Sequence, residues 1–194
     1  WRVQQELHCL TRSRNRRTSG NVSNSIRQIA CASISRHVSL EHLLRSQCCD
    51  QLDRVVIGVD SVTWARHLLD HPEIVRDRRV IDLASGSGLV GIAAMKAGAA
   101  HVLAADIDGF AVTAIALNAT GNDVTLDITA DDLLAAVPPD CDVILVGDLF
   151  YEKSLAERVY AWLRRADARG VTVLIGDPGR SYLPREKLEK LAEY

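Results

Sequence analysis

Arg79-Val80-Ile81-Asp82-Leu83-Ala84 runs directly into Ser85-Gly86-Ser87-Gly88, and Leu89 to Ala97 follows with Gly98 behind it. The apolar run lacks alternation, as expected of a strand covered on both faces, and Leu89 to Ala97 reads as a helix stopped by Gly98. Two glycines between strand and helix let backbone come close to a ligand. Going outward, His101 to Ile107 is a second strand, and Asp108 reads as the N-cap of a helix whose inner face is Phe110, Ala114 and Leu117. Val124 to Ile128, Asp142 to Gly147 and Val171 to Ile175 are further strands, with a helix between the last two that buries Leu155, Val159 and Leu163. Strands and helices alternating in this way predict an α/β fold, a Rossmann-like doubly wound, mostly parallel sheet with helices on both faces.

Two flanking regions complete the pattern. Trp64, Leu68, Ile74 and Val75 around His71-Pro72 predict a helix that ends and restarts before Arg78, and one more helix is expected from Pro184. That leaves five recognisable strands. Residues 1 to 54 carry nine arginines against four acids (+5), with much serine and no sustained hydrophobic period, and read as a basic, disordered or atypical segment. The chain opens at Trp1, so a transit peptide and a segment unrelated to the fold both stay open for this stretch. Residues 55–194 form the expected catalytic domain.

At 194 residues, with 47% apolar and 25% charged residues, the chain has the profile of one globular domain with an added segment. No apolar run reaches eighteen residues, which argues against a helical membrane span. Residues 55–194 hold fourteen basic and twenty-one acidic residues (−7), a balance that disfavours nucleic acid as a partner. Cys9, Cys31, Cys48, Cys49 and Cys141 show neither zinc spacing nor the density of a disulfide scaffold, and Cys141 reads as a small core filler. The expected compartment is the cytoplasm, or the mitochondrial matrix if the N-terminal segment is a transit peptide. His67, His71 and His101 read as solvated or capping, and no metal site is expected.

The glycine loop fixes where chemistry is expected. Gly86, Gly88 and Gly91 satisfy Gly-x-Gly-x-x-Gly, yet Asp82 four residues earlier would repel a pyrophosphate and suits the ammonium of a methionyl group. S-adenosyl-L-methionine is therefore preferred to a nicotinamide, with Asp82, Ala84, Ser85, Gly86 and Gly88 around it. Asp106 ends the second strand, where a carboxylate can accept from two ribose hydroxyls, with Ile107 beside it. Asp131 and Asp132 follow the third strand and could accept from an adenine amino group. Asp148-Leu149-Phe150-Tyr151 leaves the fourth strand and puts a carboxylate and a phenol where a methyl would be delivered, Asp148 and Tyr151 as catalytic pair and Phe150 toward the substrate. Asp177-Pro178-Gly179-Arg180-Ser181-Tyr182-Leu183-Pro184 is a rigid turn that aims Arg180 and Tyr182 at the substrate.

Through Asp82-x-Ala84-x-Gly86-x-Gly88, the strand-end Asp106 and the acids after the third strand, residues 60–194 resemble the seven-β-strand class I methyltransferases. Asp148-x-x-Tyr151 is similar to the Asp/Glu-x-x-Tyr/Phe motif of family 16 protein lysine methyltransferases. Gly176 to Arg180 with Tyr182-Leu183-Pro184 resembles the group acting on the electron transfer flavoprotein β subunit, together with its bacterial relatives. The resemblance implies methyl transfer to lysine side chains of a protein, with that β subunit as one partner and Asp148 and Tyr151 near the accepting amine. It also implies a final antiparallel strand pair that would lie past Tyr194. A small-molecule N-methyltransferase, and a cofactor-binding module without turnover, are the alternatives.

Overall fold

The computed structural model describes residues 52–57 and 60–193. The expected basic segment, up to residue 51, and four of the five cysteines lie outside them. Seven strands form one sheet: β1 (Leu52–Ile57), β2 (Arg79–Leu83), β3 (His101–Ala105), β4 (Asp127–Thr129), β5 (Val143–Gly147), β6 (Thr172–Asp177) and β7 (Leu188–Glu193). Their order is β4-β3-β2-β5-β6-β1-β7, and every neighbouring pair is parallel. Helices α1 (Ser61–Asp70), α2 (Leu89–Lys96), α3 (Gly109–Gly121) and α4 (Lys153–Asp167) supply the crossovers and the cover. No helix among the described residues is long and apolar enough to cross a membrane.

The central strands follow from their sequence. Val80 to Leu83 and Val143 to Val146 are buried throughout, because helices cover both faces of the sheet and remove any polar side. One face packs Trp64, Leu68, Val90, Ile92, Val102, Ile115 and Leu145, and the other packs Ile81, Ile144, Phe150, Val159, Trp162 and Ile175. Cys141 is buried in the second layer, its thiol pushed up to about 11 by loss of solvent, so it fills space as expected. Asp60 caps α1 by accepting from the Thr63 N–H at 2.8 Å, and Asp108 caps α3 by accepting from the Phe110 N–H at 2.9 Å.

Three expectations fail, each for a physical reason. The inner face of α3 is Ala111, Ala114, Ile115, Asn118 and Ala119, while Phe110 is 83% exposed and Leu117 62% exposed. The helix is apolar nearly all round, so spacing alone cannot choose a face, and close approach to the sheet selects the small side chains. The helix expected from Pro184 is instead a 3-10 turn, Arg185–Lys187, followed by strand β7. Leu188, Leu191 and Ala192 have helical spacing, but pairing with β1 wins. Strand β1 begins three residues before the expected boundary at 55 and inserts between β6 and β7, so the described sheet has seven strands, not five.

Chain order reverses between β2 and β5, which are neighbours although two strands lie between them in sequence. Beyond β2 the chain turns to α2 on one face, and beyond β5 it turns to α4 on the other. In open sheets of this kind the ligand crevice lies between two such exits, at the carboxyl ends of the strands.

Candidate functional site

The loop after β2 is shaped by backbone that ordinary residues avoid. Ala84, Gly86 and Gly88 all have positive φ (55°, 56° and 81°), and the alanine carries the steric cost that a glycine would escape. A Cβ on Gly86 would meet nothing within 4 Å, so the bend stands open on its outer side and has room for a ligand. Gly88 has a different reason, since a Cβ there would come within 3.1 Å of Ile115 on α3. Its bareness serves packing of the helix, not ligand space as expected from sequence.

Beneath the bend lies Asp82, only 2% exposed, whose Oδ2 accepts from Ser85 Oγ at 2.5 Å and from the Gly91 N–H at 2.8 Å. Burial pushes its carboxyl up to about 6, against the pull of those two donors. Asp82 and the Ser85 hydroxyl therefore brace the loop from inside, and the Ser85 N–H is also committed, donating to Ala105 O at 3.1 Å. Ser85 thus has a bracing role within the loop. Asn118, buried on α3, donates from Nδ2 to Ser87 O at 2.8 Å and ties the loop to the helix. Sequence reading missed Asn118; its signal was a lone amide among apolar residues in the helix after β3.

Asp106 stands across the bend. Its Oδ2 accepts from the Gly86 N–H at 2.8 Å and its Oδ1 from the Asp108 N–H at 3.0 Å, which leaves each carboxylate oxygen a second lone-pair direction for a hydroxyl. Ile107 beside it is 73% exposed, an apolar surface next to two acceptors. Asp131 is exposed and accepts from Thr129 Oγ1 at 2.8 Å. Asp132 is different, because it caps the turn Leu133–Ala135 through the Leu134 N–H and pairs with Arg158 Nη2 of α4 at 2.8 Å. Its carboxylate is held by two groups of the protein, whereas that of Asp131 has Thr129 Oγ1.

Asp148 follows β5 with φ 51°, a left-handed conformation that costs an aspartate energy and marks a position held by its surroundings. The Asp148 N–H donates to Gly176 O at 3.0 Å, and its side chain meets Arg180 in a forked pair, Nε to Oδ1 at 2.6 Å and Nη2 to Oδ2 at 2.8 Å. Asp177, fully buried, accepts from the Gly179 N–H at 2.7 Å and the Arg180 N–H at 2.6 Å through Oδ1. Its carboxyl is raised, chiefly by burial. Tyr151 and Tyr182 are open to solvent at 56% and 46%, and the Tyr182 N–H donates to Phe150 O at 3.3 Å, joining the loops after β5 and β6. Phe150 itself is wholly buried in the core, so its expected place at the substrate is corrected to a packing role.

The structure thus brings Gly86, Asp106 and Ile107 together on one side of the crevice, and Asp148, Tyr151, Arg180 and Tyr182 on the other. A recess of about 580 Å³ at the opposite sheet edge has Arg79 paired to Asp142 and Arg169 paired to Asp140, charges already matched to each other.

The family model "Ribosomal protein L11 methyltransferase (PrmA)" matches residues 64–149, which include the glycine bend, Asp106 and Asp148. Electron transfer flavoprotein beta subunit lysine methyltransferase of Xenopus laevis is 43% identical over 136 residues, 67% of this chain and 55% of that protein. The Rattus norvegicus protein of the same name is 40% identical over 136 residues, 67% of this chain and 53% of its own. The relatives are methyltransferases. A solved ribosomal protein L11 methylase from Lactobacillus delbrueckii subsp. bulgaricus is 28% identical, with a TM-score of 0.48 over 59% of this chain and 58% of that one. The resemblance to methyltransferases read from the motifs is borne out by the two curated relatives. The chain spans about half the length of the two curated lysine methyltransferases named.

Proposed function

We propose that the chain is the catalytic part of an S-adenosylmethionine-dependent protein lysine methyltransferase. One observation carries this reading. An open glycine bend faced by Asp106 and a strained carboxylate, Asp148, leave neighbouring strands at the point where the sheet order reverses. The bend and Asp106 fit a nucleoside, with the open side of Gly86 for the ligand, Asp106 for the ribose hydroxyls, Ile107 against the base and Asp131 for an adenine amino group. Backbone around Ala84, over the buried Asp82, takes the methionyl end.

When bound, the cofactor supplies a sulfonium methyl. Everything else falls to this chain's side chains. Asp148 draws an ammonium to the crevice and orients it, and Tyr151 borders the amine as it loses its proton. Such transfer is an in-line displacement in which positioning supplies much of the rate. The similarity to lysine methyltransferases, together with the acidic balance of residues 55–194, supports a lysine on a protein, the electron transfer flavoprotein β subunit being the first candidate.

Calorimetry with S-adenosylhomocysteine and mass spectrometry of candidate proteins test the reading together. Binding is expected, weakened about 10- to 150-fold in Asp106→Ala, the loss of roughly 1.5–3 kcal/mol of charged hydrogen bonding. Mass steps of one methyl group on a lysine are expected only with enzyme and cofactor both present. Absence of any binding sinks the cofactor assignment; binding without transfer to any protein sinks the substrate class.

A further inference from the structure

The carboxylate that the proposed reaction needs for an incoming ammonium already has a cation on it. Arg180 grips Asp148 with two parallel bonds, at 2.6 and 2.8 Å, and comes from a different strand exit 32 residues further along the chain. Its position is built. Asp177 fixes the Gly179 and Arg180 backbone N–H groups, Gly179 adopts φ 94°, and Arg185 Nη2 donates to Gly179 O at 2.9 Å. The paired side chains stay 34% and 36% exposed, so the pair is open to solvent and within reach of another molecule. A guanidinium and a lysine ammonium ask the same of a carboxylate, namely donated hydrogen bonds and opposite charge.

We propose that Arg180 occupies the seat of the substrate lysine, and that turnover begins with exchange of one cation for the other at Asp148. The inference rests on the methyl-transfer reading and narrows its substrate class: the accepted group is a cationic alkylammonium on a long side chain, able to displace Arg180, and not a neutral amide. The lysine ammonium first releases one proton to water. The freed nitrogen lone pair then bonds to the sulfonium methyl, the carbon–sulfur bond breaks with its electrons going to sulfur, and the product amine carries the charge.

Arg180→Lys tests the idea on the protein itself. A lysine Nζ lies one bond further from Cα than an arginine Nε, which already reaches Asp148, so R180K places an amine at the proposed seat. Incubated with S-adenosylmethionine, R180K is expected to gain methyl groups at position 180, at a rate independent of protein concentration. If R180K binds S-adenosylhomocysteine as the wild type does and methylates a protein lysine, yet gains nothing at position 180, the proposal is overturned while the methyl-transfer reading stands. If the wild type neither binds nor transfers, that reading fails and takes the proposal with it. Arg180→Ala gives a second measure should R180K lose cofactor binding. Removing the competing cation is expected to lower KM for a lysine peptide about fivefold or more, and an unchanged or raised KM, or turnover of nicotinamide by either protein, counts against it.

Discussion

Gly86 and Gly88 show how two identical residues, two positions apart, serve different ends. Both have positive φ, so either substitution to alanine carries a backbone cost of about 1–2 kcal/mol. Only Gly88 also has a neighbour in the way, Ile115 at 3.1 Å, whereas the space outside Gly86 is open. Gly88→Ala is therefore expected to lower the melting temperature clearly more than Gly86→Ala, since Ile115 must give way as well. Gly86→Val, in turn, should weaken S-adenosylhomocysteine in calorimetry by more than its loss of stability explains. Equal melting temperatures for the two alanine variants would show that Ile115 does not confine Gly88. Asp82, Ser85 and Asp132 teach the same lesson from the polar side, because each looked like a ligand group and each is bonded to its own protein.

At the level of elements, α3 is the informative case. Its sequence is apolar on every side, and the structure buries alanines with Ile115 and Asn118 while leaving Phe110 and Leu117 in solvent. Leu117→Gln should change stability by no more than about 0.5 kcal/mol in denaturant unfolding, as for exposed positions generally. Asn118→Ala should cost about 1–3 kcal/mol, because Ser87 O then loses its donor in a buried setting. A loss above about 2 kcal/mol for Leu117→Gln would instead put that side chain in the core. Helix α4 follows its spacing more closely, with Val159 and Leu163 buried, Leu155 half-buried and Trp162 added, since its polar residues mark the outer face.

At the scale of the whole molecule, buried ionisable groups among the described residues oppose each other in acid, His67 on one side and Asp82 with Asp177 on the other. His67 is 6% exposed, stacked on Trp64 and tilted against His71, and burial followed by the neighbouring His71 charge lowers it from 6.5 to about 4. It is therefore buried and not solvated, solvation being one of the two readings expected of it. An unfolded imidazole takes up its proton near 6.5 and the folded one only near 4, so this group's contribution is complete above 6.5 and is lost as pH falls through that window, to an extent of about 3 kcal/mol at most. Asp82, raised from 3.8 to about 6, has the reverse sign, the folded state binding the extra proton and gaining stability as pH falls from 6 to 3.8. Between pH 4 and 6 the His67 and Asp82 contributions therefore run in opposite directions. Subtracting the denaturation profile of His67→Phe isolates the imidazole, and the difference between the two proteins should shift against the wild type as pH drops from 6.5 to 4. A constant difference would mean that His67 titrates alike in both states.

Sequence by itself determined the alternation of strands and helices, the glycine bend, the caps at Asp108 and the placing of Asp82, Asp106, Asp131, Asp148 and Arg180 at strand exits. These are short-range matters, governed by spacing along the chain and by which residues tolerate a turn. Tertiary structure alone decided that Asp148 is held by Arg180, that Asp132 belongs to Arg158, that Phe150 is core, that α3 turns its alanines inward, and that Leu52–Ile57 and Leu188–Glu193 join the sheet. Each depends on partners distant in sequence, and a carboxylate or an apolar side chain looks the same in the chain whether its neighbour in space is solvent, ligand or another residue of the protein.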